Sequence, residues 1–199
     1  MDRKLIAGGT VVTATETMRS DVLIEGEKVV ALLDGDVEPP QVDQTIDATG
    51  RLVFPGSVDA HTHMEIPFGA ATSKDTFETG TRAAAWGGTT TIIDFPIQMK
   101  GDSLIGSFEE TMAKAAGSSA IDFGFHQIVG DVNEQSLAEL DLVLNEGVTS
   151  YKLFTAYPGV YFSTDGEVAR VMQWAAENGS TILMHACLLY TSDAADDLA

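Results

Sequence analysis

The sequence has little of three features that would each indicate a particular class of protein. One cysteine, Cys187, excludes an internal disulfide framework and is typical of a reducing compartment. The 11 lysine and arginine residues stand against 30 acidic ones, a formal charge of −19, so no basic patch is available for nucleic-acid phosphates or an anionic membrane surface. No apolar run approaches the roughly 18 residues of a membrane span. We therefore expect a cytoplasmic protein that binds neither nucleic acid nor membrane.

The pattern of apolar residues changes near residue 53. Residues 1–52 contain short stretches of alternating, β-branched residues separated by glycine turns, which predicts a small β unit. Beyond that point apolar strands alternate with helix-length segments. We predict strands near 57–61, 89–95, 121–129, 150–154 and 181–185, and helices at 74–86, 103–116, 134–146 and 165–178.

Alternating strands and helices predict right-handed βαβ units and a parallel sheet. Five strands fit either an open doubly wound sheet or the first five strands of an eight-stranded barrel. No Gly-x-Gly-x-x-Gly follows a predicted strand, so a dinucleotide-binding fold has no support. The candidate chemical residues fall at the C-terminal ends of strands, where such barrels carry their active sites, although an open sheet also gathers ligands at that edge.

Asp59, His61 and His63 occupy alternate positions of the first predicted buried strand. Alternate residues on a strand project from one face, so the carboxylate and the two imidazoles are expected together. Two convergent neutral imidazoles favour a divalent metal site. The alternative is a pair of structural histidines at a strand end.

Lys152 lies within the fourth predicted strand, at 150–154. A buried ammonium costs several kcal/mol unless it is paired or altered. One explanation is a lysine that reaches the strand end and pairs with a carboxylate. The other is an amine held neutral by burial that reacts with CO2 to form a carbamate, which can bridge two metal ions. Composition and spacing do not choose between them.

Two further histidines and four aromatic residues bear on the predicted site. His185 ends the fifth predicted strand and is either a core histidine or a metal ligand, whereas His126 has no visible partner and is assigned a structural role. Four aromatic residues could line a pocket above the strand ends or belong to the core: Phe68, Phe154, Tyr157 and Tyr161.

Four blocks of sequence, at 53–65, 87–95, 147–157 and 184–186, resemble the dihydropyrimidinase and D-hydantoinase group of the amidohydrolase superfamily. The resemblance implies an α/β fold: a partial (β/α)8, TIM-like hydrolase barrel at 53–186, with about five strands present, preceded at 1–52 by the N-terminal part of a composite β-sandwich. It also implies a homotetrameric full-length parent.

The resemblance further implies a site with two zinc ions. His61 and His63 match ligands of the first ion, carbamylated Lys152 matches the bridge, and His185 matches a ligand of the second ion. Tyr157 matches the tyrosine that hydrogen-bonds the substrate carbonyl and the developing oxyanion. Two ions about 3.5–4 Å apart can hold a water as hydroxide and polarise a ring carbonyl.

The activity that this resemblance implies is the hydrolysis of a small cyclic ureide. The substrates are 5,6-dihydrouracil, dihydrothymine or 5-substituted hydantoins, which open to N-carbamoyl amino acids. Glu65 stands where dihydroorotase-like members carry an arginine, and a glutamate would repel a carboxylate substrate. The alternatives are a non-catalytic dihydropyrimidinase-like assembly protein and another cyclic amidohydrolase such as allantoinase.

Residues 187–199 do not resemble the family, and we expect them to be an artefactual tail. The family pattern would continue with another histidine ligand and a catalytic aspartate, neither of which is present. We therefore expect the 199-residue chain itself to be inactive and at most a weak metal binder.

Overall fold

The computed structural model describes residues 2–35, 37–68 and 71–187. The chain separates into two compact units, residues 1–56 and 57–199. Within the described ranges, no helix combines the length and the apolar character needed to cross a membrane.

The first unit consists of short strands in two sheets, because its β-branched stretches are interrupted every few residues by turns. Its strands are β1 (Arg3–Ala7), β2 (Thr10–Val12), β3 (Thr17–Arg19), β4 (Asp21–Glu25), β5 (Lys28–Leu33), β6 (Gln44–Asp47) and β7 (Leu52–Val53). One sheet has the order β5-β4-β1-β6 and the other has the order β3-β2-β7. Gly26, with φ of 60°, makes the tight turn between β4 and β5.

The second unit alternates strands and helices, as the sequence predicts. Its elements are β8 (Ser57–Asp59), β9 (Pro67–Phe68), β10 (Ala71–Thr72), α1 (Phe77–Trp86), β11 (Thr89–Asp94), α2 (Leu104–Ala115), β12 (Asp122–Phe125), β13 (Gln127–Ile128), α3 (Glu134–Asn145), β14 (Ser150–Phe154), α4 (Asp165–Asn178) and β15 (Thr181–His185). Each of these helices begins after an N-cap residue whose side chain accepts a hydrogen bond from a backbone N–H of the first turn; the N-cap residues are Thr76, Ser103, Asn133 and Thr164.

The parallel strands of this unit follow one another in chain order. β8 pairs with β11, β11 with β12, β13 with β14, and β14 with β15. Only His126 separates β12 from β13, which together correspond to the single strand predicted at 121–129. A doubly wound sheet would reverse its order at a switch point, whereas sequential order is that of a (β/α)8 barrel. The predicted partial barrel is confirmed.

The core of the second unit lies between these strands and their helices. It contains fully buried side chains from both layers, including Phe77, Ile92, Leu104, Leu140 and Leu153. At about 25 cal/mol per Å2 of apolar area, burial of each such side chain contributes roughly 1.5–3 kcal/mol. This packing fixes the strand ends that carry the candidate site.

Glu139 of α3 holds the beginning of α2. Its Oε2 accepts hydrogen bonds from the backbone N–H groups of Leu104, at 2.6 Å, and Ile105, at 3.2 Å, and from the Ser103 hydroxyl, at 3.0 Å. Burial opposes ionisation of Glu139, but these bonds and one from Gln135 outweigh it and lower the pKa of the carboxyl. A carboxylate at a helix N-terminus also complements the helix dipole.

We predict that Glu139→Gln lowers the free energy of unfolding by about 1–2 kcal/mol at pH 7, because charged acceptors form the stronger hydrogen bonds. Since the folded-state pKa is lowered, this contribution is present above the unfolded-state value of about 4.3 and is lost as the pH falls through the folded-state value. Urea unfolding measured at pH 7 and at lower pH should therefore show that the difference in unfolding free energy between the variant and wild type decreases in acid. Glu146→Gln, at the exposed end of α3, is the control; an equal loss in both variants would contradict the prediction.

Candidate active site at the strand ends

The predicted site residues lie at or just beyond the C-terminal ends of the parallel strands. His61 and His63 follow β8, Lys152 lies in β14, and His185 is the last residue of β15. Tyr157 lies in the loop after β14. Because parallel strands end at the same edge of a sheet, the fold brings these side chains to one side of the second unit.

The predicted strand around His61 is wrong in two respects. β8 ends at Asp59, two residues before His61, and its residues are exposed rather than buried, with Val58 60% exposed. The physical reason is that β8 pairs only with β11 among the described strands, and that pairing is irregular between Thr89 and Thr91. Strand alternation therefore does not orient the two imidazoles.

The two histidines nevertheless meet, against the ring of Phe95. Their ring centroids are 5.1 Å apart, and they lie 4.6 Å (His61) and 5.1 Å (His63) from the Phe95 centroid. Both residues are exposed, but partial desolvation of the rings is the main cause that lowers the pKa of each imidazole, and the positive charge of Lys152 adds to it. Both side chains are thus favoured in the neutral form that binds metal ions.

Lys152 lies between two phenylalanines. Its Nζ is 5.1 Å from the Phe95 centroid and 5.5 Å from the Phe154 centroid. Within the described residues it forms no ion pair and no side-chain hydrogen bond, so the carboxylate partner required by the first explanation is not found there. Burial lowers the pKa of the amine, which increases the fraction that is neutral and able to react with CO2.

His185 belongs to a second aromatic group around Phe154. Its ring stacks on Phe154 with centroids 5.3 Å apart, and Tyr157 lies 5.4 Å from it. Tyr161 stacks on Phe154 at 5.2 Å. The predicted pocket aromatics Phe154, Tyr157 and Tyr161 are therefore neighbours, whereas the side chain of Phe68 lies outside the described residues.

Tyr157 has a left-handed backbone, with φ of 61°. A bulky residue in this region costs on the order of 1–3 kcal/mol, and such residues cluster at functional sites. The side chain is 51% exposed and its hydroxyl has no hydrogen bond to a described residue. The phenol is thus available to a ligand.

The structure brings the predicted ligands into two groups joined by Lys152, one around Phe95 and the other around Phe154. Among the described residues, no three or more His, Cys, Asp or Glu side chains are grouped to hold a metal ion. A lysine amine supplies no anionic oxygen, so a bridge would first require its conversion to a carbamate. The Lys152 amine, which has no partner among the described residues, is of the type that can form a carbamate. The two imidazoles are of the type that binds a metal ion.

Sequence reasoning missed two residues of this region. Asp94, 1% exposed, ends β11, and Phe95, 3% exposed, follows it beside the histidines. His126, assigned a structural role, lies 5.1 Å from Phe95 and bonds Ser150 Oγ. The position of Asp94 at the end of a strand was the one available indication.

The Glu65 side chain forms a hydrogen bond within the chain. Its Oε1 accepts a hydrogen bond from the Phe77 backbone N–H, at the beginning of α1, at 3.2 Å. Its backbone is left-handed, with φ of 52°, and its N–H donates to the Asp75 carbonyl at 2.9 Å. Glu65 therefore anchors the loop after His63 to α1.

Comparison with known proteins gives consistent matches. The sequence profile of the Amidohydrolase family matches residues 52–196. A D-hydantoinase of Streptomyces coelicolor is 55% identical over 187 residues, and one of Geobacillus stearothermophilus is 44% identical over 184; each match covers 92% of this chain, and 40% and 39% of the relative. The crystal structure of dihydropyrimidinase from Brevibacillus agri superposes with a TM-score of 0.88 at 45% identity, covering 94% of this chain and 40% of that one. This chain thus spans about 40% of the length of the relatives it matches.

If the two aromatic groups are separate, replacing the central phenylalanine of one group should change the histidine NMR signals of that group only. In Phe95→Leu, the ring proton signals of His61, His63 and His126 should move while that of His185 stays, because only the first three contact Phe95. Phe154→Leu should move the His185 signal and leave the others. Each variant should cost about 1 kcal/mol of stability. NMR of the four histidines of the metal-free protein measures this, and the same signals moving in both variants would contradict two separate groups.

Proposed function

This chain belongs to the amidohydrolase family, and from that membership we propose that the protein it represents is a cyclic amidohydrolase that opens ureide rings. The proposed substrates are 5,6-dihydrouracil, dihydrothymine and 5-substituted hydantoins. Water adds across the ring amide bond, the C–N bond breaks, and an N-carbamoyl amino acid is released. The observation that carries the proposal is the unpaired Lys152 amine beside two neutral imidazoles.

The names of the relatives support the choice of substrate. Those quoted above are called D-hydantoinase and dihydropyrimidinase, at 44–55% identity. Because this chain covers only about 40% of their length, the activity of the whole protein is a proposal and is not taken directly from these relatives.

The residues present fit a site for two zinc or similar divalent ions. His61 and His63 would hold the first, carbamylated Lys152 would bridge, and His185 would bind the second. When bound, such ions supply Lewis acidity and lower the pKa of a bound water. Lys152 would form its carbamate by attack of the neutral amine on CO2, with loss of one proton, which gives two oxygens that share one negative charge.

Tyr157 is proposed to hold the substrate. Its phenol, which has no hydrogen-bond partner among the described residues, would donate a hydrogen bond to the ring carbonyl oxygen as negative charge develops there. A donor that is already oriented stabilises that charge without reorganisation. The left-handed backbone at Tyr157 is the local cost of that orientation.

Partners and location follow from the same membership. We expect a small cyclic ureide as the ligand, a homotetrameric full-length protein and a cytoplasmic location, with residues 1–52 as part of a composite sandwich. The acidic composition argues against nucleic acid as a partner. A non-catalytic assembly protein is the competing proposal, and metal content separates the two: roughly two zinc ions per chain for the hydrolase and none for the assembly protein.

Because the relatives are longer, activity is best tested in a chimera. Residues 1–187 of this chain would be joined to the part of the Streptomyces coelicolor D-hydantoinase that follows its matched region. We predict hydrolysis of hydantoin and dihydrouracil that a chelator removes and zinc restores. Lys152→Ala should abolish both activity and bound zinc, whereas Lys100→Ala, an exposed lysine, should change neither; full activity in Lys152→Ala would refute the proposal.

Tyr157→Phe should lower kcat of the chimera by about 10²–10³-fold, the usual cost of one oxyanion donor. Stability should remain within about 0.5 kcal/mol of the parent, because the hydroxyl has no partner among the described residues. Tyr161→Phe, in the same aromatic group, is the control. Equal losses of kcat in both variants would show that Tyr157 has no special role.

A further inference from the structure

The two imidazoles lie in an irregular segment after β8, so pairing within a sheet does not fix their positions. We infer that Asp94 is a positioning residue, which holds His61 and His63 by hydrogen-bonding the residues that flank His63. It touches neither imidazole through a hydrogen bond and acts entirely through its neighbours.

The carboxylate of Asp94 accepts three hydrogen bonds. Oδ2 accepts from the Thr62 hydroxyl at 3.0 Å and from the Met64 backbone N–H at 2.8 Å. Oδ1 accepts from the Phe95 backbone N–H at 2.7 Å. Since Asp94 is only 1% exposed, water cannot readily replace any of these bonds.

These bonds bear on both histidines. Thr62 lies between the two, and Met64 follows the second, so the backbone on either side of His63 is held to one carboxylate. Thr62 also donates its backbone N–H to the Ile93 carbonyl at 3.1 Å, and its one hydroxyl proton is shared between Asp94 and that carbonyl, which lies 3.2 Å from the hydroxyl oxygen. The segment is therefore attached to the last two residues of β11.

The packing of Met64 and Phe95 makes this attachment rigid. A Cβ added at Gly80 of α1 would overlap Met64 Sδ, which shows how closely the Met64 side chain lies against that helix. The backbone N–H of Phe95 donates the third hydrogen bond to Asp94. The ring of Phe95 is the surface against which both imidazoles pack. One carboxylate thus connects the histidine segment to its aromatic support.

Only a carboxylate satisfies this set of donors. An ionised aspartate has two acceptor oxygens, whereas asparagine has one oxygen and an NH2 group that donates. In Asp94→Asn, either the Met64 N–H or the Phe95 N–H would face another donor. The volume of the side chain hardly changes, so the effect should be local.

The first test uses the metal-free protein and compares Asp94→Asn with Asp122→Asn, an exposed aspartate at the beginning of β12. Hydrogen exchange of the Met64 or Phe95 amide should become about tenfold faster or more in Asp94→Asn only. The ring signals of His61 and His63 should shift or broaden, and that of His185 should not. Unchanged exchange and unchanged histidine signals would overturn the inference.

Thr62 provides a second pair of variants in case Asp94→Asn does not fold. Thr62→Val keeps the shape but removes the hydroxyl donor, whereas Thr62→Ser retains it. The histidine signals should move in Thr62→Val and be restored to near wild type in Thr62→Ser. A role limited to packing predicts the reverse, with Ser the more disruptive change.

The effect on metal rests on the proposed function. In the chimera, competition with a chromophoric chelator should show zinc bound about tenfold more weakly by Asp94→Asn or Thr62→Val, as is usual when the support of a ligand is removed. If the chimera with the wild-type sequence of this chain binds no zinc, the proposed metal site fails while the metal-free results still decide the role of Asp94. If that chimera binds zinc and both variants bind it equally well, positioning by Asp94 is refuted.

Discussion

The ammonium of Lys152 lies between the rings of Phe95 and Phe154 and has no carboxylate partner in the ranges that the structure describes. Contact with an aromatic face returns about 0.5–2 kcal/mol, whereas removing an ammonium from water costs several kcal/mol. The rings alone do not compensate the charge, and burial lowers the pKa of the amine below its ordinary value. The proposed metal site depends on this amine.

The fold explains why the amine and the imidazoles meet. β8, β11, the β12–β13 pair, β14 and β15 lie side by side in chain order. Each ends near the same edge, and buried residues beneath that edge fix the ends against the helices. Phe95 and Phe154, at the ends of alternate members of this series, then contact Lys152 from two sides. Several of the candidate site residues lie in loops with irregular backbone, but the strands that precede these loops are regular.

The sequence predicted the regular part well and the irregular part poorly. The strand at Ser150–Phe154 and the helix at Asp165–Asn178 follow from apolar periodicity and caps, and both were predicted with these bounds. The end of β8 at Asp59 was not, because it depends on pairing with β11 rather than on local alternation. Nor could the sequence show that Glu65 bonds the beginning of α1, or that Tyr157 has a left-handed backbone. Asp94 was missed because its three donors come together only in the folded chain.

The most direct measurement is a carbon NMR spectrum of the protein with zinc and 13C-labelled bicarbonate. A neutral, unpaired Lys152 should give a carbamate carbon coupled to a lysine nitrogen, and that signal should be absent from Lys152→Arg, which keeps the charge but cannot form a carbamate. The same signal in both proteins, or its absence from wild type while Lys152 titrates as an ordinary amine, would contradict the central role assigned to this residue.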